Sequence, residues 1–267
     1  MTYGNRIEEK LAILKQKGEK AFITYITAGL PDLNGTKAIL RAQEAAGTDI
    51  IELGVPFSDP TADGPVIQEA SYRAISNGIT LEKAFQTVEE LRKEGVEIPI
   101  VFMLYYNTVL HYGLEAFAKK CAQTGVDGLI IPDLPLEEQE ELTEYLKESD
   151  ATILIQLVSP MSGERIPMIL KNARGFVYCV SSMGINGQNE TFHKKVTSYL
   201  KSVKEVSGIP VMMGFGIREA KDVAPMKDII DGVIVGTHFI QLMEKNNYAP
   251  EAAAVYCSRF KRELNAI

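Results

Sequence analysis

Residues 49–65 read DIIELGVPFSDPTADGP. Asp49 to Leu53 is a short β-branched apolar run without polar alternation, the pattern of a strand covered on both faces. After it, Gly54, Pro56 and Pro60 punctuate a loop, and Gly64-Pro65 opens a segment with helical spacing. The stretch is one strand, one loop and one helix start, the repeating unit of a parallel α/β protein.

The same unit recurs along the chain. Comparable runs lie at Ala21 to Thr27, Asp49 to Leu53, Ile98 to Tyr105, Val126 to Pro132, Thr152 to Val158, Gly175 to Ser181, Ile209 to Gly214 and Asp231 to Gly236. Between them run segments with helical periodicity, such as Leu114, Phe117, Ala118 and Cys121. Eight such units in a chain of 267 residues predict an α/β fold of the (β/α)₈ TIM-barrel type. An amphipathic helix at about Arg6 to Lys17 precedes the first strand, and Pro65 to Glu94 reads as two helices broken near Gly78. Both are additions to the basic barrel. No linker, low-complexity tract or composition step divides the sequence, so residues 1–267 are expected to form a single TIM-barrel domain. An open doubly wound sheet is the competing architecture.

Composition narrows the function. The apolar runs fall well short of the ~20 residues a membrane span needs. The first twenty residues mix Arg6, Lys10, Lys15, Lys17 and Lys20 with acids and lack the apolar centre of a secretory signal, so a cytoplasmic location is expected. A net charge of −7 without a basic cluster argues against nucleic acid as a partner. Any phosphorylated substrate must then be held by local donors, such as backbone N–H groups, against an unfavourable overall charge. Cys121, Cys179 and Cys257 are widely spaced and odd in number, which reads as buried free thiols.

In a barrel the reacting groups sit where strands run into the following loops. Those positions offer Thr24, Tyr25 and Thr27, then Glu52, Tyr105, Asn107, Asp133 and Gln156, with no lysine or histidine among them. A Schiff-base aldolase would need the lysine, and His111, His193 and His238 show no ligand spacing, so no metal is expected. Glu52 closes an apolar run, where an ionised side chain is costly unless something pairs with it or uses it. General acid/base work and a structural partner are its two readings. For Asp63, ahead of Gly64-Pro65, helix capping and catalysis weigh about equally. Asp59-Pro60 reads as a turn former first.

Glycines are the second signal. They appear in Ser182-Met183-Gly184-Ile185-Asn186-Gly187, in Gly214-Phe215-Gly216 and at Gly236-Thr237, on neighbouring strand ends late in the chain. The last barrel loops are a frequent phosphate site, so a phosphate monoester is expected there. Tyr25, Met103, Tyr178 and Phe215 could form an apolar slot for a flat ring, with core packing as the competing explanation for each.

ELGVPFSDPTADGP closely resembles the signature of the tryptophan synthase alpha chain family. Further matches are Phe22 to Gly29 (FITYITAG), Pro132-Asp133-Leu134-Pro135, Tyr178-Cys179-Val180-Ser181-Ser182, Gly214-Phe215-Gly216 and Val235-Gly236-Thr237. The resemblance implies a barrel enzyme that splits indole-3-glycerol phosphate into indole and glyceraldehyde 3-phosphate by a retro-aldol route, with no cofactor in this chain. It sets Glu52 and Asp63 on the family's catalytic carboxylates and Gly187, Gly216, Gly236 and Thr237 on its phosphate site. It puts Tyr178 beside the catalytic glutamate. It also implies a pyridoxal phosphate-dependent beta chain as partner, in an α2β2 heterotetramer, with loops near Asp59 and Gly187 closing over the site. Asn186 stands where the family commonly has threonine, Ser182 where many members have arginine, and Thr237 where serine is more usual. A free-standing indole-releasing lyase, a non-catalytic phosphate-binding barrel and another phosphate-sugar barrel are the alternatives.

Overall fold

The strands are β1 (Ala21–Thr27), β2 (Ile50–Gly54), β3 (Ile100–Met103), β4 (Gly128–Ile130), β5 (Ile153–Leu154), β6 (Gln156–Val158), β7 (Val177–Cys179), β8 (Val211–Met213) and β9 (Gly232–Val235), all pairing in parallel. They belong to a computed structural model that describes residues 4–180 and 190–267, with side chains from 195 in the second segment. The sheet order is β5-β4-β3-β2-β1-β9-β8-β7-β6. Its two ends are consecutive pieces of one extended stretch, parted only at Ile155. The Ile155 N–H bonds the Leu129 carbonyl at 2.9 Å, while the Val180 N–H reaches back to the Val158 carbonyl at 2.9 Å. One stretch therefore joins β4 on one side to β7 on the other, and the sheet closes into a barrel.

β1 has the bounds read from sequence, whereas most other ladders are shorter than their apolar runs. Leu104, Tyr105 and Ile131 explain the difference: they are buried past the last ladder pair, in loops folded over the rim. β2 runs the other way and continues to Gly54, so Glu52 is a mid-strand residue flanked by Tyr25 on β1 and Val101 on β3, not the end of the run.

Period-two alternation divides each strand between two cores. Ile23, Ile50, Val101, Ile130, Ile153, Phe176, Met212 and Ile234 fill the barrel interior as one cluster. Their neighbours, among them Phe22, Leu53, Phe102 and Leu129, join the outer cluster beneath the helices. Helix Arg6–Lys17 contributes Ile7, Leu11 and Leu14 to the inner cluster, so it plugs the N-terminal end of the barrel. Asn5 fixes this plug: its carbonyl oxygen caps the Ile7 N–H at 2.9 Å, and its amide donates to the Asp127 and Ala151 carbonyls at 2.8 and 2.7 Å. The segment after β2 forms helices Pro65–Ser76 and Leu81–Lys93, broken at Asn77-Gly78. Cys121, Cys179 and Cys257 are free and buried. No helix among the described residues is long and apolar enough to cross a membrane.

Candidate active site

With the N-terminal end plugged, the opposite end holds the cavity. The parity that turns Ile50 inward turns Glu52 inward one layer higher, and Tyr178 and Gly214 follow Phe176 and Met212 in the same way. The result is a cavity of about 600 Å³ lined by Tyr25, Glu52, Asp63, Met103, Tyr178, Phe215, Gly216, Gly236 and Thr237. Every site residue expected from sequence within the described residues is therefore brought together. Asn186, Gly187 and Ser182 lie outside the described residues.

Two strand-end glycines exist for their neighbours. A Cβ on Gly54 would stand 2.1 Å from the Tyr25 hydroxyl, and one on Gly214 would stand 2.0 Å from Cε2 of Tyr178. Any side chain there would expel a tyrosine from the layer that holds Glu52. Gly214 thus serves ring packing, whereas Gly216, at φ +69° and with nothing near its Cβ position, keeps the rim open.

Glu52 is 1% exposed, and its Oε2 has no hydrogen-bond partner. Burial, then the negative charge of Asp63, pushes its carboxyl up to about 8. Asp63 is also raised by burial, to about 6, and held back by a hydrogen bond from the Tyr105 hydroxyl to its Oδ2 at 3.0 Å. Gly64 is the N-cap residue of the following helix and no side chain caps it, which removes the capping reading of Asp63. The structural-partner reading of Glu52 goes as well, since no cation reaches it among the described residues. Burial holds the phenols of Tyr25 and Tyr178 protonated far above neutral pH, so each keeps an O–H.

Tyr105 is the positioning residue that sequence reasoning did not single out. Its hydroxyl accepts the Ala62 N–H at 2.9 Å while donating to Asp63, and its ring stacks on Phe57 with centroids 5.0 Å apart. Three points of the loop after β2 are tied to the end of β3. Two other strand-end candidates, Asp133 and Gln156, make structural contacts. Asp133 accepts the Tyr106 N–H at 2.9 Å, at the start of helix Tyr106–Tyr112 that follows β3, and Gln156 exchanges amide hydrogen bonds with Gln139. Asp59 sits in a turn in which the Thr61 N–H bonds its carbonyl at 2.8 Å. The inventory without histidine needs correction: His238 and Arg218 both line the cavity. They follow Thr237 and Gly216 by one and two residues, just past the positions a strand-end survey inspects.

A parallel barrel whose C-terminal cavity holds two carboxylates of separated pKa beneath a glycine-lined rim is a (β/α)₈ architecture suited to acid/base chemistry. Known proteins place it more narrowly. The sequence profile described as tryptophan synthase alpha chain matches residues 11–267, and the chain belongs to that family. The alpha chain of Lachnospira eligens is 64% identical over 263 residues, covering 98% of this chain and 100% of the relative. The crystal structure of tryptophan synthase subunit alpha from Legionella pneumophila superposes with a TM-score of 0.89 at 32% identity, covering 98% of this chain and 99% of that one. A ligand-free tryptophan synthase structure from M. tuberculosis superposes with a TM-score of 0.86 at 31% identity, covering 98% and 99%. The family's reaction, and this chain's, is the lyase step of tryptophan biosynthesis that cleaves indole-3-glycerol phosphate to indole and glyceraldehyde 3-phosphate.

Proposed function

We propose that Glu52 and Asp63 divide the proton chemistry of this cleavage between them. Their environments support the division: at pH 7 a group near 8 is mostly protonated and a group near 6 mostly ionised. Glu52 gives its proton to C3 of the indole, which leaves the ring cationic. Asp63 accepts the indole N–H and stabilises that charge. The Glu52 carboxylate then takes the proton of the glycerol hydroxyl next to the ring. As that C–O bond becomes a carbonyl, the C–C bond to C3 breaks and its electrons restore the aromatic indole. Each proton leaves and returns through one carboxyl group.

Tyr25, Met103, Tyr178 and Phe215 form the slot for the indole ring, and Gly216, Gly236 and Thr237 the rim that receives the phosphate; Gly187 and Asn186, outside the described residues, are assigned to the same site by the family resemblance. Helix Thr237–Lys245 supports the phosphate reading, since no side chain caps its first turn and its N–H groups remain for an anion. The family carries a beta chain as partner. In our reading that partner is pyridoxal phosphate-dependent, the assembly is α2β2, and residues 1–267 act in the cytoplasm as one barrel domain.

The observation that carries the proposal is the buried, unpartnered Oε2 of Glu52 at the floor of the cavity. Glu52→Gln should abolish indole release, by at least about 1000-fold, with binding of indole-3-propanol phosphate largely kept. Normal turnover in that variant would end the assignment.

A further inference from the structure

We propose that Arg218 and His238 are the charged half of the phosphate pocket, a pair that recognises the dianion of a phosphate monoester. This deepens the reading of Gly216, Gly236 and Thr237 as a phosphate rim and rests on it. The chain carries a net charge of −7, and the other ionisable groups in the cavity wall, Glu52, Asp63, Tyr25 and Tyr178, supply no positive charge. Backbone amides alone would have to hold a dianion against that field. Among the described lining residues, Arg218 and His238 are the only basic side chains.

They arrive from adjacent strand ends, Arg218 after β8 and His238 after β9, and those two strands are hydrogen-bonded neighbours. The Arg218 backbone is held at both ends: its N–H donates to Oδ2 of Asp222 at 2.9 Å, and its carbonyl accepts the Tyr256 hydroxyl at 2.8 Å. Its guanidinium, by contrast, has no carboxylate among the described residues. His238 packs on the same Tyr256 ring, with centroids 5.6 Å apart. One buried tyrosine thus positions both groups, and the forked guanidinium suits phosphate oxygens.

The pair is also poised for proton uptake. Burial, then the positive charge of Arg218, lowers the His238 pKa below its ordinary value, so the imidazole is neutral at pH 7 in the free protein. Facing it are Arg218, Glu219 and Asp222 from the segment after β8, and Tyr256 and Arg259 from the C-terminal helix. A bound dianion outweighs Arg218 and draws a proton onto His238.

The test uses the full chain, with indole-3-propanol phosphate and inorganic phosphate as probes. Arg218→Ala should weaken both probes about 10-fold and raise KM for substrate more than it lowers kcat. His238→Gln should weaken them several-fold and the double variant further, while affinity for indole alone stays as in the parent. Calorimetry at pH 7 in buffers of different ionisation enthalpy should record proton uptake on analogue binding, diminished in His238→Gln. Unchanged affinity in both single variants and the double variant would overturn the proposal. Gly236→Val separates it from the reading beneath it. If that variant binds analogue normally, the phosphate rim itself is wrong; if it loses the analogue while the Arg218 and His238 variants keep it, only the present inference fails.

Discussion

A carboxyl group buried in the middle of a barrel strand, beside the negative charge of Asp63 and with no cation near it among the described residues, holds its proton to unusually high pH, and the proposed role of Glu52 rests on this. In the proposed mechanism, turnover needs Glu52 protonated and Asp63 ionised. The sign follows directly: kcat/KM should rise as pH increases through about 6, where Asp63 ionises, and fall through about 8, where Glu52 loses its proton, with a maximum near 7. Tyr105 donates to the ionised form of Asp63 and so holds that pKa down. Tyr105→Phe should move the acid limb of the profile to higher pH and leave the basic limb in place; an unmoved acid limb would deny Tyr105 this part. Glu52 was legible in the sequence because a charge inside an apolar run is a local anomaly. Asp63 stood out locally but stayed ambiguous, since capping and catalysis look alike until Gly64 is seen to be the N-cap. Tyr105 was legible only as one strand-end residue among several, because its partner lies 42 residues away.

Among the elements, the N-terminal side of the barrel is tied together by one carboxylate. Asp127, with its side chain 3% exposed, accepts Arg92 at 2.7 Å, Arg6 at 3.0 Å and the Ile100 N–H at 2.8 Å. It joins the plug helix, helix Leu81–Lys93, β3 and the start of β4. Burial outweighs this pairing, raising Asp127 and lowering Arg92, so the cluster secures geometry more than it gains energy. Breaking it is another matter, since Arg92 would be left buried. Asp127→Ala should cost about 3–5 kcal/mol in denaturant melts, with kcat close to the parent value because the site is at the other end of the barrel. Helix Arg6–Lys17 was readable because Asn5 and Gly18 mark its ends. Strand limits were not, since an apolar run shows only that residues are buried, and Leu104 or Ile131 are buried in loops as fully as in ladders.

For the whole molecule, one end of the barrel is closed for stability and the other left open for chemistry. The outer core cluster runs without a break from Phe22 in β1 to Leu264 in the last helix. Cooperative unfolding in a single transition is expected, with tyrosine fluorescence and far-ultraviolet circular dichroism coinciding, tyrosine being the reporter in a chain without tryptophan. Two separated transitions would contradict the single-domain proposal. Element order, helix amphipathicity, the strand-end glycines and the two carboxylates are properties of short windows of chain, and the sequence by itself determined them. Closure of the sheet, which sequence could not separate from an open one, depends on the stretch around Ile155 pairing on both sides. The seating of Tyr25 over Gly54, the tether from Tyr105 to Asp63, and the arrival of Arg218 and His238 at the cavity wall were likewise decided only by the tertiary structure. Each joins residues distant in the chain or on different strands, and strand register, a property of the closed barrel, sets which side chains meet.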